Sequence, residues 1–341
     1  MLLLQTSRHV IDRDIHPNCR FLCRQSLLHE AEDDRVKLLP DLDNVPVRVI
    51  EPNDALAPAV LKQRMYVADI KLFQMLAEGV LCGSGRSTTV YRALDPRLSR
   101  RVAVKVLNAS SEDADEMGRR FLAEAKLVAG LNHPGIMPVY NCGVCEGKPY
   151  LVTRFMERGD LGGLLRRGEL PPPGELFGIL AAAAEALAYA NNTAKLVHHD
   201  VKPSSILLSS GGEVRLGDFD LADVREFGDQ SPCVAEWGSP ACISPERLGS
   251  GGEDVRGDIF SLGATIYELL CGRPPFGVDG EPEELYERRR AMAFTELGVL
   301  RPDLPGSLTD LVSHMLDFEP DCRPAYPEIV RELKTCAARF R

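Results

Sequence analysis

The chain has 341 residues, of which 44% are hydrophobic and 26% charged, as expected of a globular protein with ample material for a core. The 50 Asp and Glu residues outnumber the 40 Lys and Arg residues, and the net charge is −10. This acidic balance argues against a nucleic acid as the main partner, because no basic stripe is available to neutralise phosphates.

The cysteines and the apolar segments indicate a cytoplasmic chain. The ten cysteines are scattered through predicted core and loops without a secretory leader, so we expect reduced thiols. The start, Met1 to Leu4, reaches polar Gln5 too soon for a signal-peptide core. The most apolar stretch, 177–190, is too short for a bilayer and contains Glu185, so we expect no membrane span.

Residues 1–70 form a predicted N-terminal extension of unknown role. Alternating apolar residues favour a short strand at 45–50, and Asn53 or Asp54 is placed to cap a following helix. Four residues of this zone could form a metal-ligating set, although their spacing matches no zinc module: His16, Cys19, Cys23 and His29. The zone has no other recognisable signature.

Strands predominate in 71–157 and helices in 158–341. Strand-like runs occur at 89–93, 101–107 and 150–155, with one helix at 113–131. Apolar residues at spacings of three and four predict helices at 180–190, 258–271 and 308–316. Cys142 and Cys145 have the spacing of half a zinc site, but they lie where a hairpin should turn, and we favour the turn.

Gly83 and Gly85 lie between strand-like runs. Glycines let backbone amides approach phosphate oxygens where a side chain would collide, although a plain turn between strands has the same appearance. A dinucleotide-binding fold is excluded, because a helix should follow the glycines and a strand follows here. Further along, Lys105 stands in an apolar strand, where its charge needs a partner or an anion unless it faces the surface. Glu124, on the following helix, is a candidate partner.

Residues 198–208 read His-His-Asp-Val-Lys-Pro-Ser-Ser-Ile-Leu-Leu, and residues 218–220 read Asp-Phe-Asp. With the glycines, the strand lysine and the helix glutamate in this order, residues 71–341 resemble the eukaryotic-like serine/threonine protein kinases of the bacterial type. The resemblance implies an α+β, two-lobed fold. A five-stranded antiparallel small lobe with one helix at 71–157 precedes a mainly helical large lobe at 158–341.

The resemblance also implies roles for individual residues. Asp200 would orient the substrate hydroxyl and accept its proton, Lys202 would steady the transferring phosphate, and Lys105 with Glu124 would complete the catalytic set. Asp218, together with Ser205, would bind Mg²⁺ or Mn²⁺. ATP would contact Gly83, Gly85, Val90, Ala103, Lys105, Thr153, Phe155, Met156 and Leu207. The partners implied are ATP and either a protein substrate or a regulatory protein.

Further matches follow towards the C-terminus. Residues 238–246 resemble the end of a kinase activation segment, and 258–263 resemble the start of the long central helix. Arg323 matches the arginine that pairs with the residue numbered Glu246 here. Ser231 is a candidate phosphorylation site, and Ser239 either seats the substrate chain or caps a loop.

Four positions depart from the family pattern: Thr88 for a loop glycine, His199 for arginine, Ser205 for asparagine and Asp220 for glycine. In the family that arginine often receives an activation-loop phosphate, and a histidine is a weak cation at neutral pH. Serine is a poorer metal ligand than asparagine, while Asp220 adds a carboxylate beside Asp218. The departures leave three interpretations: an active protein kinase, a nucleotide-binding pseudokinase and a non-binding scaffold. A small-molecule kinase is disfavoured by the activation segment and by the spacing of Asp200 and Lys202.

Overall fold

A computed structural model describes residues 80–84, 88–95, 98–108, 114–145, 148–225, 239–249 and 252–341. The predictions for 1–70 (the strand at 45–50, the capped helix and the set His16, Cys19, Cys23 and His29) lie outside these ranges, as do Gly85 and Ser231. The described residues form two compact units. The first comprises residues up to Leu122 with Val139–Phe155, and the second Ala123–Pro138 with Met156–Arg341. The predicted limits of the extension and the two lobes stay predictions.

The first unit contains a five-stranded antiparallel sheet in the order β1-β2-β3-β5-β4. Its strands are β1 (Val80–Ser84), β2 (Thr88–Asp95), β3 (Arg100–Leu107), β4 (Val139–Cys145) and β5 (Lys148–Arg154). The sheet and the three strands predicted from the sequence are confirmed. Cys142 and Cys145 are free thiols, and both lie within the strand β4, so the turn predicted at these two residues is wrong.

The strands of this sheet alternate between a packed face and a less buried face. On β3, Val102, Val104 and Val106 are buried, whereas Ala103 and Lys105 between them are half-buried. The packed face is completed by residues of the neighbouring strands: Tyr91, Ala93, Tyr150 and Val152. Because successive side chains of a strand point to opposite faces, this core places Lys105 on the other side of the sheet.

The helices are α1 (Ala114–Ala129), α2 (Leu161–Arg167), α3 (Pro173–Ala194), α4 (Pro245–Gly249), α5 (Val255–Cys271), α6 (Pro282–Arg290), α7 (Leu297–Leu300), α8 (Gly306–Met315) and α9 (Tyr326–Arg339). The helix predicted at 113–131 and the three helices predicted from apolar spacing are confirmed. In the described ranges no helix is long and apolar enough to cross a membrane.

The second unit is built around α3 and α5. Helix α9 packs along α3, and both helices contribute fully buried side chains, among them Phe177 and Leu180 of α3 and Ile329 and Leu333 of α9. Five short strands lie among the helices: β6 (Gly159–Asp160), β7 (Leu196–Val197), β8 (Ile206–Leu208), β9 (Val214–Leu216) and β10 (Asp223–Val224). β6, β8 and β9 form one small sheet, and β7 pairs with β10. These strands set the loops on which the candidate site is built.

The predicted pair of Arg323 and Glu246 is confirmed. Arg323 Nη1 and Nη2 donate to the two carboxylate oxygens of Glu246 at 2.7 and 2.8 Å. The Arg323 side chain is 0% exposed and also binds the main-chain carbonyls of Asp317, Arg256 and Phe318. This fork-shaped contact ties α4 to the segment that precedes α9.

We predict that Arg323→Met lowers the free energy of unfolding by about 3–5 kcal/mol, because it leaves the Glu246 carboxylate without its buried partner. Urea denaturation measures the change. The matched control is Arg290→Met, which removes an exposed ion pair with Glu287 and should cost less than about 1 kcal/mol. Equal losses for both variants would contradict the prediction.

Candidate active site

Five of the predicted nucleotide contacts share the less buried face of the five-stranded sheet. Lys105 on β3 lies directly opposite Val90 on β2, and Val90 is opposite Gly83 on β1. On the other side, Ala103 lies opposite Thr153 on β5. Residues directly opposite each other in an antiparallel pair point to the same face. The sheet register therefore groups a lysine with small and apolar side chains, a surface that suits a phosphate beside a flat ring.

Gly83 lies within β1, at an irregularity in its pairing with β2. A Cβ atom added at Gly83 would have no described atom within 4 Å, so packing in the described chain does not require a glycine there. Close approach of a ligand to the exposed backbone remains a physical reason for one.

The structure says less about two further predicted nucleotide contacts, Phe155 and Met156, and about Glu124, the predicted partner of Lys105. Phe155 follows β5, and the Arg92 guanidinium carbon lies 5.8 Å from its ring centroid. Met156 is buried in the second unit. Glu124 lies in α1, but its side chain is outside the described part of the structure, so its pairing with Lys105 stays a prediction.

Both oxygens of the Asp200 carboxylate are bound by other groups of the chain. Oδ2 is paired with Lys202 Nζ, and Oδ1 accepts a hydrogen bond of 2.9 Å from the amide of Ser239. The side chains of Asp200 and Lys202 are 12% and 26% exposed. The carboxylate is thus partly sheltered, oriented from two directions and open to a further hydrogen bond. It also links the catalytic loop to the described end of the activation segment.

The Ser205 hydroxyl is engaged by its own loop. Oγ donates to the Lys202 carbonyl at 2.8 Å and accepts from the Lys202 amide at 3.1 Å, closing the 3₁₀ turn Pro203–Ser205. The residue is fully buried. A hydroxyl oxygen with one donated and one accepted bond has a single lone pair left. The Ser205 hydroxyl is therefore a poor metal ligand, because its hydrogen bonds are already used to hold the loop.

The β8–β9 hairpin brings Ser205 and Asp218 to the same end of the small sheet. Ile206 is paired with Leu216, and just beyond them the Ser205 carbonyl accepts the amide of Gly217 at 2.9 Å. Asp218 comes next, with a left-handed backbone at φ 59°. Leu207, half-buried on β8, lies 3.0 Å from the position of a Cβ at Gly217.

The metal-ligating groups here are few. Within the described ranges, His, Cys, Asp and Glu side chains form no cluster of three that could hold a metal ion. A hard cation at Asp218 would therefore depend on phosphate oxygens for much of its coordination, which is how Mg²⁺ is commonly bound. The carboxylate of Asp218 fits that role, and the half-buried Asp220 lies two residues away.

His198 positions the Asp-Phe-Asp turn, a role that the sequence did not suggest. Its Nε2 lies 2.9 Å from the Gly217 carbonyl oxygen, and its ring packs on Phe219 with centroids 4.5 Å apart. His198 is buried, so a single side chain from the catalytic loop fixes the residues on either side of Asp218. The adjacent histidines before Asp200 were the only signal for it.

The surroundings of His199 favour its cationic form, in contrast to the expectation of a weak cation at neutral pH. Nε2 lies 2.6 Å from Asp223 Oδ1, and Nδ1 contacts Glu253 Oε1. Burial lowers the pKa of His199, but these two hydrogen bonds outweigh burial and raise the pKa to about 9. For Glu253 and Asp223, burial raises the pKa, but the interactions with His199, together with those of Arg247 and Ser244 at Glu253 and of Arg225 at Asp223, outweigh burial and lower both pKa values.

Asp258 fixes the backbone beneath these side chains. Its oxygens accept the amides of His198 and His199 at 2.7 and 2.9 Å. The sequence analysis identifies Asp258 only as the start of a helix, and it does not predict that Glu253 and Asp223 contact His199. These carboxylates lie 24 to 60 residues from the histidines they bind.

Residues 76–333 match the model of the protein kinase domain family. The chain is 39% identical over 206 residues to the serine/threonine-protein kinase PknL of Mycobacterium bovis, covering 60% of this chain and 51% of that relative. It is 34% identical over 217 residues to the serine/threonine-protein kinase PknB of Mycobacterium leprae, covering 62% and 35%. It is 31% identical over 270 residues to the DNA damage-responsive serine/threonine-protein kinase RqkA of Deinococcus radiodurans, covering 78% and 40%. The chain thus spans about half the length of the first relative and less of the other two.

We predict that Ser205→Ala lowers the free energy of unfolding by about 1–2 kcal/mol, because the amide and carbonyl of Lys202 lose their shared partner in a buried turn. Thermal and urea denaturation measure the loss. The neighbouring Ser204→Ala is the control, since Ser204 is half-buried and takes no part in this cap. If the two variants are equally stable, the hydroxyl of Ser205 does not hold the loop.

Proposed function

The chain belongs to the protein kinase domain family, and on that premise we propose that it transfers the γ-phosphate of ATP to serine or threonine hydroxyls of proteins. One observation carries the proposal beyond family membership. The Asp200 carboxylate is paired with Lys202 and bound by the Ser239 amide, so a base and a cation lie side by side in the loop. This arrangement suits proton acceptance next to a transferring phosphate.

Asp200 acts on the substrate hydroxyl. A carboxylate with two of its acceptor positions engaged keeps others for the hydroxyl proton, and its fixed direction aligns the oxygen for in-line attack. The pair with Lys202 places positive charge within reach of the phosphoryl oxygens as negative charge develops on them. Most of the rate would come from this positioning and charge stabilisation, since phosphoryl transfer asks for little covalent chemistry from the protein.

The sheet face of the first unit supports nucleotide binding. Val90, Ala103 and Thr153 offer a mainly apolar surface, and Lys105 on the same face supplies a cation for phosphate oxygens. Glycine at position 83 leaves the backbone of β1 open to close approach. We assign ATP to this surface.

Asp218 would hold the divalent metal ion that the family implies, and we propose Mg²⁺, with Mn²⁺ as a substitute. Bound there, the ion would neutralise charge on the phosphates. Asp220 adds a second carboxylate close by, whereas the Ser205 hydroxyl is already engaged with Lys202. We therefore assign metal binding mainly to Asp218.

The segment after Ser239 supports a polypeptide substrate over a small molecule. Arg289 is fully buried and donates to the carbonyls of Pro240 and Ile243 at 2.6 and 2.8 Å, fixing the chain next to Asp200. The turn that follows Ser239 is closed by hydrogen bonds from the amides of Cys242 and Ile243 to the Ser239 carbonyl, so main-chain groups held beside the base would align a substrate polypeptide. Nucleic acid is not expected as a partner, because the chain is acidic.

We predict that Asp200→Asn lowers the turnover number about a hundredfold or more, because the amide cannot accept the hydroxyl proton while its shape is preserved. The assay measures phosphate transfer from ATP, with Mg²⁺ or Mn²⁺, to a generic protein substrate and to the chain itself. Asp310→Asn, a change at an exposed carboxylate of α8, should keep wild-type activity.

Equal phosphate transfer by the wild type and by Asp200→Asn would overturn the enzyme assignment. In that case a thermal-shift titration with ATP separates the two remaining interpretations. A metal-dependent rise in melting temperature would identify a nucleotide-binding pseudokinase, and no rise would identify a scaffold that does not bind nucleotide.

We predict that Ser205→Asn lowers the half-saturating Mg²⁺ concentration by about tenfold and raises turnover, because asparagine adds a carbonyl ligand that serine lacks. A Mg²⁺ titration of activity at saturating ATP measures both. Asp220→Gly should move the half-saturating concentration the other way, because it removes the additional carboxylate. An unchanged Mg²⁺ dependence in both variants would show that neither position 205 nor Asp220 contributes to metal binding.

A further inference from the structure

The ring of His199 faces a carboxylate from each of its two nitrogens. The side chain is 1% exposed, and both contacts, to Asp223 and to Glu253, fall at hydrogen-bond distance. A neutral imidazole has one N–H and one acceptor nitrogen, so it can donate to only one of these carboxylates. The other would face a lone pair in a buried setting. With both carboxyl groups ionised, the doubly protonated ring is the form that donates to both.

In the described structure, five charged side chains act on the ring directly or through the carboxylates that contact it. Three are carboxylates and two are guanidinium groups: Asp223, Glu253, Asp258, Arg225 and Arg247. Each guanidinium is bound to one of the carboxylates. Arg225 Nε donates to Asp223 at 2.9 and 3.0 Å, and Arg247 Nη1 donates to Glu253 at 3.4 Å. A cationic His199 therefore brings equal numbers of positive and negative groups into the cluster.

Neighbouring residues fix the position of Glu253 in this cluster. Its carboxylate is 2% exposed and also accepts a hydrogen bond from the Ser244 hydroxyl. A methyl group at Gly257, in the first turn of α5, would overlap that carboxylate, so glycine leaves the room that Glu253 occupies. A buried carboxylate with a dedicated space and three partners is a built feature of the second unit.

The cluster holds the peptide next to Asp200. The backbone of His199 is left-handed, with φ 65°, a conformation that persists in a non-glycine residue only when its surroundings fix it. Its amide is bound by Asp258 at 2.9 Å, and its carbonyl accepts from Arg247 Nη1 at 2.7 Å. The ring thus ties the catalytic loop to β10 through Asp223 and to the start of α5 through Glu253.

We propose that His199 is a positioning residue that acts as a standing cation, held between Glu253 and Asp223, and that it sets the direction of the Asp200 carboxylate. The proposal rests on the proposed function, since positioning matters only if Asp200 takes part in transfer. Both ring nitrogens are occupied by carboxylates of the chain itself. The cluster is therefore complete without a phosphate from a modified residue.

The charge is tested first, on the full chain labelled with ¹⁵N-histidine. We expect both ring nitrogens of His199 to stay protonated through neutral pH and to titrate at about 9, with the signal assigned by its loss in His199→Gln. Asp223→Asn, at the half-buried carboxylate, should lower that midpoint. Titration of the wild-type ring near the ordinary value of 6.5 would overturn the proposal.

The pH dependence of stability has a defined sign. Because the pKa of His199 is raised in the folded state, its stabilisation is complete below pH 6.5 and is lost as the pH rises through about 9. The free energy of unfolding of the wild type should therefore decline across this window relative to Asp223→Asn. A difference that does not change with pH would count against the cation.

We predict that His199→Gln lowers the turnover number at pH 7.5 by about tenfold to a hundredfold with little change in the KM for ATP, because the base is misplaced. His199→Arg, which keeps a cation, should recover much of the turnover and remove the decline of wild-type activity above pH 9. The control His314→Gln changes an exposed histidine on α8 and should be neutral.

Two failures are distinguishable. If the wild type transfers no phosphate, the proposed function is wrong, and the ring titration still decides whether His199 is a standing cation. If the wild type is active and His199→Gln, or the milder Asp223→Asn should the first not fold, keeps full turnover, the positioning role is wrong while the kinase assignment stands.

Discussion

The carboxylate of Asp258 determines the course of the catalytic loop, and the geometry of the candidate site depends on it. Asp258 lies in the first turn of α5, where the helix dipole favours a negative charge. Its two oxygens hold the amides of His198 and His199, so two consecutive peptides have little freedom. Burial raises the pKa of Asp258, and the two amide bonds offset part of the cost of burying its charge. The side chains of His198, His199 and Asp200 then leave the backbone in set directions.

Two different kinds of interaction extend from that fixed backbone. His198 contacts uncharged groups, the Phe219 ring and the Gly217 carbonyl, and these contacts reach the Asp-Phe-Asp turn. His199 uses charge and reaches β10 and the start of α5. A buried ionic cluster adds less stability than its Coulomb attraction suggests, because every member is desolvated. What it supplies is geometry, since each of its groups has a single favourable arrangement.

Much of the fold could be predicted because its signals are local. The alternation of Val102, Val104 and Val106 with Ala103 and Lys105 is visible in the sequence and requires no knowledge of distant residues. The order of the motifs then identifies the catalytic loop. Family resemblance even anticipates a distant pair, Arg323 with Glu246.

The charge of His199 and the hydrogen bonds of the Ser205 hydroxyl to its own loop could not be predicted in the same way. In the sequence Glu253 follows two glycines, a setting typical of a solvated loop, and only the folded chain brings it 54 positions back to His199. The family resemblance predicts the Ser205 hydroxyl as a metal ligand, whereas the structure directs it to the backbone three residues earlier. A side chain's direction is set by the turn that carries it, and residue type alone does not report it.

The two-faced sheet of the first unit has an evolutionary consequence. Its strands carry packing on one face and the lysine on the other, and the two sets of residues are interleaved one by one along β3. Inserting or deleting a single residue within β3 would exchange the faces downstream of the change, burying the lysine and presenting valines in its place. This strand can therefore diverge by substitution, while changes in its length are confined to the loops at its ends.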